Sequence, residues 1–255
     1  MTKKHLITCS VMLVVVIISS FDLCDATAVK RSNSTRSISK FVSTNTKDES
    51  DELNFAEEFL PVNDERVTRK MHYSLKMHSY SKVQSNILHN KAVKLFPIIE
   101  PILKYYGIPD DFKYIPLVET GLREGTSPRG AKGLWQFMPG TARTYGLKVS
   151  RKKDERMNVR KSTIAACKYI KELYGEFNSW TLAAAAYNNG SIKLEKAINR
   201  QNEDNYFRMR LNRETGSYVY KLIAMKEVIQ NPKKYGYKEE YYSYSFKSLP
   251  LLAFN

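Results

Sequence analysis

The sequence predicts a mainly α-helical domain with at most a small β element. Apolar residues recur at helical spacing in several separate segments, which are bounded by capping residues on one side and by Gly or Pro on the other. Only the stretch 134–138 favours an extended chain, because Pro139 disfavours the helical conformation for the residue before it. The 255 residues are sufficient for one sizeable domain preceded by a leader.

The N-terminal segment has the layout of a cleaved secretory signal peptide. Two lysines precede an apolar run from 6 to 18, and a small-x-small site follows at 26–28. The run is short for a membrane span, so we expect cleavage after Ala28 and an exported protein of the periplasm or cell envelope. Two alternatives anchor the protein to a membrane: an uncleaved N-terminal segment, or lipidation of Cys24, although the residue before Cys24 is not the small one that such processing favours.

Beyond residue 28 the composition divides the chain into four parts. Residues 29–60 are rich in Ser, Thr, Asn and charged residues, which predicts a flexible linker. Residues 61–107 predict a helical lead-in that packs on the main domain, and the main domain is predicted over 108–236. Residues 237–255 form a C-terminal tail, whose aromatic side chains are expected to cover the domain surface.

Three helices are predicted in the lead-in. The first follows Asn63, which is a capping residue type, and its apolar residues recur at four-residue spacing: Val67, Met71 and Leu75. The second covers about 81–96. Pro97 then begins a third helix, which ends before Gly107.

The main domain is predicted to hold one helix before residue 121 and several after it. The later helices cover approximately 139–146, 158–174, 180–188, 191–199 and 213–230. The helix over 180–188 is apolar on all sides, and it is therefore expected at the centre of the domain.

Glu119 is the strongest candidate for a catalytic acid. It lies in the last turn of a predicted helix that begins at Pro109 and ends before Gly121, so the negative end of the helix dipole disfavours its ionised form. Phe112 and Ile115 share its helix face, which continues an apolar stripe to the carboxyl group. Both effects raise a carboxyl pKa, whereas position alone would also fit an ordinary surface glutamate.

Five short blocks occur in order along this region. They are ETGL at 119–122, SPRGA at 127–131, GLWQFMP at 133–139, AAYNNG at 185–190 and ETGSYV at 214–219. Together they resemble the soluble lytic transglycosylase (SLT) domain family, nearest to its membrane-bound lytic murein transglycosylase D type, over about 61–236. The resemblance implies a lysozyme-like fold of the goose-lysozyme-like kind. It also implies a lyase that cleaves the MurNAc-GlcNAc β-1,4 bond of peptidoglycan without water and leaves 1,6-anhydromuramic acid ends.

The resemblance also implies roles for individual residues. Glu119 would protonate the glycosidic oxygen, and then deprotonate the muramic acid C6 hydroxyl, while the substrate's acetamido group supports the developing cation. Substrate-binding roles are implied for seven residues: Ser127, Gln136, Met138, Tyr187, Asn188, Glu214 and Tyr218. Among these, Tyr187 is expected to hydrogen-bond Glu119, and Gly133 is expected to let the chain approach the glycan closely.

Structural alternatives remain open for several of these residues. The Gln136 amide could satisfy backbone groups in a core strand, because a buried polar side chain needs a partner. Tyr187 alone would be interpreted as a core aromatic, and Glu214 and Tyr218 could each be purely structural.

A second catalytic carboxylate is not evident in the sequence. Glycoside hydrolysis usually requires two carboxylates. Glu124 is expected in a solvated loop, and Asp154 and Glu155 belong to a charged run. A lysozyme-like hydrolase would therefore need an acidic partner near Glu119 in space, and a non-catalytic peptidoglycan-binding protein would not need the acid at all.

The formal net charge of +15 favours an anionic partner. The basic residues are spread along the chain without a groove-reading motif, so we expect no nucleic acid and instead expect peptidoglycan glycan strands, whose peptides contain carboxylates. Leader cleavage leaves only Cys167, which is expected in the core. The histidines lack zinc-site spacing, so we expect no metal and no other cofactor, and we expect a monomer.

Overall fold

The computed structural model describes residues 53–120 and 126–238. The predicted signal peptide, most of the predicted linker, Gly121, Glu124 and nearly all of the predicted tail lie outside these ranges. The α-helices of the described part are α1 (Glu65–His78), α2 (Tyr80–Val83), α3 (Ile87–Tyr106), α4 (Ile115–Glu119), α5 (Pro139–Thr144), α6 (Val159–Phe177), α7 (Trp180–Asn189), α8 (Ser191–Gln201) and α9 (Thr215–Gln230). Three 3₁₀ helices cover Asp110–Tyr114, Glu155–Met157 and Pro232–Tyr235. The mainly α-helical fold class is confirmed.

Helix α7 lies at the centre of the fold, as its apolar sequence predicts. Every residue from 181 to 186 is buried, and α7 packs against α6, α8 and α9. Ser179 caps the start of α7 by accepting a hydrogen bond from Leu182 N. Helix α1 packs along α9, and α3 packs along α6. None of the helices in the described ranges is long and apolar enough to cross a membrane.

The lead-in helices differ from the prediction in three places, the first of which is that the helix predicted over about 81–96 is interrupted at 84–86, between α2 and α3. The cap of α1 is Asp64, whose side chain accepts from two backbone amides, and not Asn63. Helix α3 runs unbroken through Pro97, where the sequence predicted a break. Its buried residues continue at helical spacing on both sides of the proline: Leu88, Ala92, Phe96, Ile99 and Leu103. Burial of this continuous apolar face offsets the backbone hydrogen bond that a proline cannot make.

The C-terminal end of the predicted linker is part of the fold. Strands β1 (Asn54–Phe55) and β2 (Glu58–Phe59) pair in an antiparallel hairpin. The Phe55 side chain is fully buried and packs edge-to-face on Phe112, with 5.0 Å between the ring centroids. Extending the linker to residue 60 was therefore wrong, because the buried Phe55 anchors the end of a segment whose composition is mostly polar.

The stretch 134–138 is a turn over 134–136 followed by the bridged Phe137 and the extended Met138, and not the predicted extended run. Gln136 N donates to Gly133 O at 3.0 Å, and Gln136 adopts a left-handed φ of 47°. Isolated β-bridges join Lys132 to Thr126 and to Phe137, which is the small β element expected near Gln136. Met138 is extended, with φ −66° and ψ 148°, as a residue before proline should be.

Candidate active site

Glu119 is the last residue of α4, where the sequence placed it. The 3₁₀ helix 110–114 begins with Asp110 and Asp111 and continues directly into α4. Phe112 and Ile115 are fully buried on the face predicted for them. This packing fixes the short helix against the core and presents the Glu119 carboxyl group at its end.

The hydrogen-bond partner of Glu119 is Tyr218, a residue of α9. The Tyr218 hydroxyl donates to Glu119 Oε1 at 2.6 Å, and the Tyr218 side chain is buried. The sequence assigned this contact to Tyr187, and that assignment was wrong. The Tyr187 hydroxyl donates instead to Trp135 O at 2.7 Å, because the turn at 133–136 brings this carbonyl group to the end of α7.

Opposing influences set the pKa of Glu119. Burial is the largest and raises the pKa above that of an ordinary glutamate, and the negative charge of Glu214 raises it further. The Tyr218 hydrogen bond and the positive charge of Lys221 lower it. The net effect is a raised pKa, which suits a group that must hold a proton until the substrate accepts it.

Tyr187 lies in an aromatic cluster beside this carboxyl group. Its ring centroid lies 5.3 Å from that of Tyr169, 6.3 Å from that of Phe137 and 6.4 Å from that of Trp135. Burial, and next the charge of Glu119, raise the pKa of Tyr187 well above its ordinary value. Tyr187 is therefore a neutral, firmly held side chain within electrostatic range of the candidate acid.

A chain of polar contacts links the ends of α7 and α9. Asn188 Nδ2 donates to Glu214 Oε1 at 3.1 Å, and Thr215 Oγ1 donates to Asn188 Oδ1 at 3.1 Å. Asn212 Nδ2 donates to Thr215 Oγ1 at 3.0 Å. These contacts hold the exposed Glu214 carboxylate close enough to influence Glu119. The sequence analysis missed Asn212, Thr215 and Lys221, although all three lie within or next to the block at 214–219.

The loop 126–138 holds three more of the predicted binding residues. Ser127 Oγ accepts from Ala131 N at 2.9 Å, and Gln136 Nε2 donates to Gly133 O at 2.8 Å. The Gln136 amide thus satisfies a backbone group, as one interpretation predicted, although in a turn and not in a strand. Met138 is 42% exposed at the start of α5. Substrate contacts for these three residues remain predictions.

The Arg156 side chain holds this loop in place through hydrogen bonds to its backbone. Its Nη1 donates to Gly130 O at 2.7 Å and to Phe137 O at 2.9 Å. Its guanidinium is also paired with Asp154 through two hydrogen bonds of 2.9 and 2.8 Å, and this pairing lowers the pKa of Asp154. A Cβ at Gly133 would lie 2.0 Å from Arg156 O. The close approach that requires Gly133 in this structure is therefore to this backbone, and its expected role toward the glycan stays a prediction.

Two other candidate groups are held in structural contacts. Glu155 is buried and accepts from Lys161 Nζ at 2.7 Å and from Lys148 N at 2.8 Å, which lowers its pKa to about 2. Cys167 is fully buried, as predicted, and burial raises the pKa of its thiol to about 12. Within the described ranges, no group of three or more His, Cys, Asp or Glu side chains could hold a metal ion.

Comparison with known proteins places the chain in a family. Residues 96–209 match the transglycosylase SLT domain. The membrane-bound lytic murein transglycosylase D of Escherichia coli (strain K12) is 33% identical over 186 residues, which cover 69% of this chain and 39% of that protein. A protein of Alteromonas sp. (strain M-1), named for tributyltin chloride resistance, is 30% identical over 146 residues, which cover 52% of this chain and 70% of that protein. The chain belongs to the SLT-domain family.

The SLT-domain match covers only part of the site that the structure assembles. It includes Glu119, the loop 126–138 and the Tyr187–Asn188 end of α7, but it stops before Glu214 and Tyr218. The hydrogen-bond partner of Glu119 thus lies on a helix beyond the matched residues. The chain spans about two fifths of the length of the Escherichia coli relative, since the shared region is 39% of that protein.

Proposed function

We propose that this chain is a peptidoglycan lytic transglycosylase. It would cleave the MurNAc-GlcNAc β-1,4 bond without water and leave 1,6-anhydromuramic acid ends. The observation that supports this activity most directly is the carboxyl group of Glu119, which lies within the SLT-domain match, has a raised pKa and accepts a hydrogen bond from Tyr218. The relative from Escherichia coli bears the name of the same activity.

The proposed reaction uses Glu119 twice. In its protonated form, Glu119 donates a proton to the glycosidic oxygen as the bond breaks. The carboxylate that forms is stabilised by the Tyr218 hydroxyl, because a hydrogen bond to the charged form favours it. The same carboxylate then removes the proton of the muramic acid C6 hydroxyl, which attacks the anomeric carbon of its own ring. A tethered hydroxyl competes well with water because its effective concentration is very high.

We propose that the surrounding predicted residues bind the glycan strand. Ser127, Gln136 and Met138 would contact it from the loop that Arg156 fastens. Asn188 and Glu214 would contact it from the ends of α7 and α9. Tyr187 would complete the wall next to Glu119, and no metal or other cofactor has a part in these steps.

A lysozyme-like hydrolase is the second candidate, and one specific observation favours it. The charge of Glu214 acts on Glu119, so a second carboxylate lies in the neighbourhood of the acid. In a hydrolase this second group would assist at the anomeric carbon, directly or by holding a water molecule. Glu214 is exposed and accepts a hydrogen bond from Asn188, which fits a substrate-binding residue as well.

Mass spectrometry of the products distinguishes the two candidates. Purified protein would be incubated with peptidoglycan sacculi, with a Glu119→Gln variant and a hydrolytic lysozyme as controls. The proposed activity yields muropeptides that end in 1,6-anhydromuramic acid, which are lighter by one water than the lysozyme products. Dominance of reducing-end muramic acid would establish the hydrolase instead. Binding to sacculi without any release of muropeptides would establish a non-catalytic peptidoglycan-binding protein.

We further propose that the protein acts as a monomer in the cell envelope after export. The net charge of +15 favours attraction to the carboxylates of peptidoglycan, and nucleic acid is not a partner in this proposal. Determining the N-terminal residue of the protein recovered from cells tests how it reaches the cell envelope. A chain beginning at Val29 supports signal cleavage, a lipid on Cys24 supports lipidation, and an intact N-terminus in the membrane fraction supports an uncleaved anchor.

A further inference from the structure

Two side-chain contacts join the segment 110–119 to helix α9. At one end, Tyr218 donates to Glu119 Oε1 at 2.6 Å. At the other end, Lys226 Nζ donates to Asp111 Oδ2 at 2.8 Å. The two contacts are separated by eight residues on each element. The segment 110–119 and α9 therefore run antiparallel to each other between these contacts. The Asp111–Lys226 ion pair therefore fixes the register in which Glu119 meets Tyr218.

The hairpin 54–59, which we call the strap, contacts both residues of this ion pair. Ala56 N donates to Asp111 Oδ2 at 2.7 Å, and Lys226 Nζ also donates to Asn54 Oδ1 at 3.0 Å. The side chains of Asp111 and Lys226 are only 14% and 20% exposed. A partly buried ion pair with additional hydrogen bonds resists displacement better than an exposed pair does.

The strap also holds the start of α7. Glu58 Oε2 accepts from Ser179 Oγ at 2.8 Å and from Thr181 N at 3.1 Å, and Glu58 Oε1 accepts from Trp180 N. A carboxylate at this position satisfies the free amides of the first turn and complements the helix dipole. Tyr187 and Asn188 lie in the last turn of α7, so the strap contacts three of the elements that contribute to the site: the segment 110–119, α9 and α7.

We infer that the strap and Asp111 position the Glu119–Tyr218 pair for catalysis, and that residues 54–59 belong to the working catalytic unit although they lie outside the SLT-domain match at 96–209. Asp111 is then a positioning residue, because it acts on the reaction through Glu119 and touches no substrate. This inference rests on the proposed function. The competing explanation is that the strap only adds stability to the fold.

A pH profile separates these explanations. The titratable and charged groups around Glu119 are Tyr218, Glu214 and Lys221 of the 214–226 segment and Tyr187 of α7. Tyr218, Glu214 and Lys221 all move with α9, but the Tyr218 hydrogen bond affects the pKa of Glu119 more than either charge does, and a hydrogen bond depends steeply on distance and angle. Loosening the register of α9 removes a hydrogen bond that lowers the pKa of Glu119, so the acid stays protonated to higher pH. If the strap only stabilised the fold, weakening it would leave the pH dependence of kcat unchanged.

The test compares Asp111→Asn with Asp110→Asn. Asp110 is the adjacent residue of the same 3₁₀ helix, but it pairs with Lys113 and makes no hydrogen bond or ion pair with the strap or α9 among the described residues. With soluble glycan strands as substrate, Asp111→Asn is expected to lower kcat about tenfold, a part of what a general acid contributes, with KM within twofold. The alkaline limb of its kcat profile should move to higher pH. Asp110→Asn should match the wild type in both respects.

Equal profiles for the two variants, with wild-type activity intact, would overturn the inference and leave the proposed function standing. A wild-type protein that releases no muropeptides would overturn the proposed function itself. If Asp111→Asn does not fold, Lys226→Gln removes the ion pair from α9 and Glu58→Gln weakens the strap at α7. Both should reproduce the kcat loss and the shift, and a normal profile in both would overturn the inference.

Discussion

The Tyr218 hydroxyl and the Glu119 carboxyl group form the central contact of the site, at 2.6 Å. Burial raises the pKa of Glu119, and the bond from Tyr218 opposes that rise by stabilising the carboxylate. Burial and the Tyr218 hydrogen bond therefore shift the pKa of Glu119 in opposite directions. This balance suits a group that must first release a proton and then accept one.

Replacing Tyr218 with Phe should lower activity and change its pH dependence. The substitution removes the hydroxyl and keeps the ring, so the pKa of Glu119 should rise and the alkaline limb of the kcat profile should move to higher pH. Tyr187→Phe is the matched control, since it leaves Trp135 O without its donor and costs stability, about 1 to 3 kcal/mol, without breaking a bond to Glu119. A larger shift in Tyr187→Phe than in Tyr218→Phe would contradict this assignment.

Glu119→Gln should abolish most of the activity while the fold and glycan binding persist. The substitution preserves size and removes the transferable proton, and general acids contribute at least about a hundredfold in rate. Muropeptide release from sacculi and a sacculus-binding assay measure the two properties separately. Activity within a few-fold of the wild type, in a folded variant, would place the acid elsewhere.

The same variant should change how stability depends on pH. Because the pKa of Glu119 is raised by folding, its contribution to stability is complete below the unfolded pKa and is lost as pH rises through the folded pKa. Glutamine does not titrate. The Tm of Glu119→Gln, relative to the wild type, should therefore increase from pH 4 toward pH 8. A constant difference in Tm across this range would show that the carboxyl pKa is not raised.

Glu214→Gln distinguishes substrate binding from direct catalysis by this carboxylate. Removing its negative charge should lower the pKa of Glu119 and move the alkaline limb of the kcat profile to lower pH, most visibly at low ionic strength. As a binding residue, Glu214 should affect KM more than kcat. A loss of about a hundredfold or more in kcat would instead assign it a catalytic part and favour the hydrolase.

The candidate acid could be found from the sequence because helix spacing and burial depend on neighbouring residues of the chain. Helix spacing placed Phe112 and Ile115 on one buried face and Glu119 at the end of that face, and the structure agrees. The central position of α7 followed in the same way from its uninterrupted apolar sequence. These features depend on residues a few positions apart, where periodicity is informative.

The partner of Glu119 depends on tertiary packing, which periodicity does not report. Tyr187 and Tyr218 both lie in recognisable blocks, and the register of α9 against α4 decides which hydroxyl reaches the carboxyl group. The hairpin at 54–59 escaped prediction for a similar reason. Its large buried side chain, Phe55, packs on Phe112, which lies 57 residues later, and the polar composition of the segment before the hairpin suggested that the linker continues.

Gly133→Ala should destabilise the protein far more than Gly130→Ala. Both glycines have left-handed φ angles, of 79° and 85°, so each alanine meets a comparable backbone strain of about 1 kcal/mol or more. At Gly133 the added Cβ would also lie 2.0 Å from Arg156 O, whereas at Gly130 no atom lies within 4 Å. Relieving that clash requires moving the backbone at Arg156, whose guanidinium holds the loop 126–138 in place.

Thermal unfolding should show a much larger fall in Tm for Gly133→Ala than for Gly130→Ala, and activity should fall with it because Gln136 and Met138 lie in the same loop. Equal Tm values for the two variants would contradict the close approach between Gly133 and Arg156.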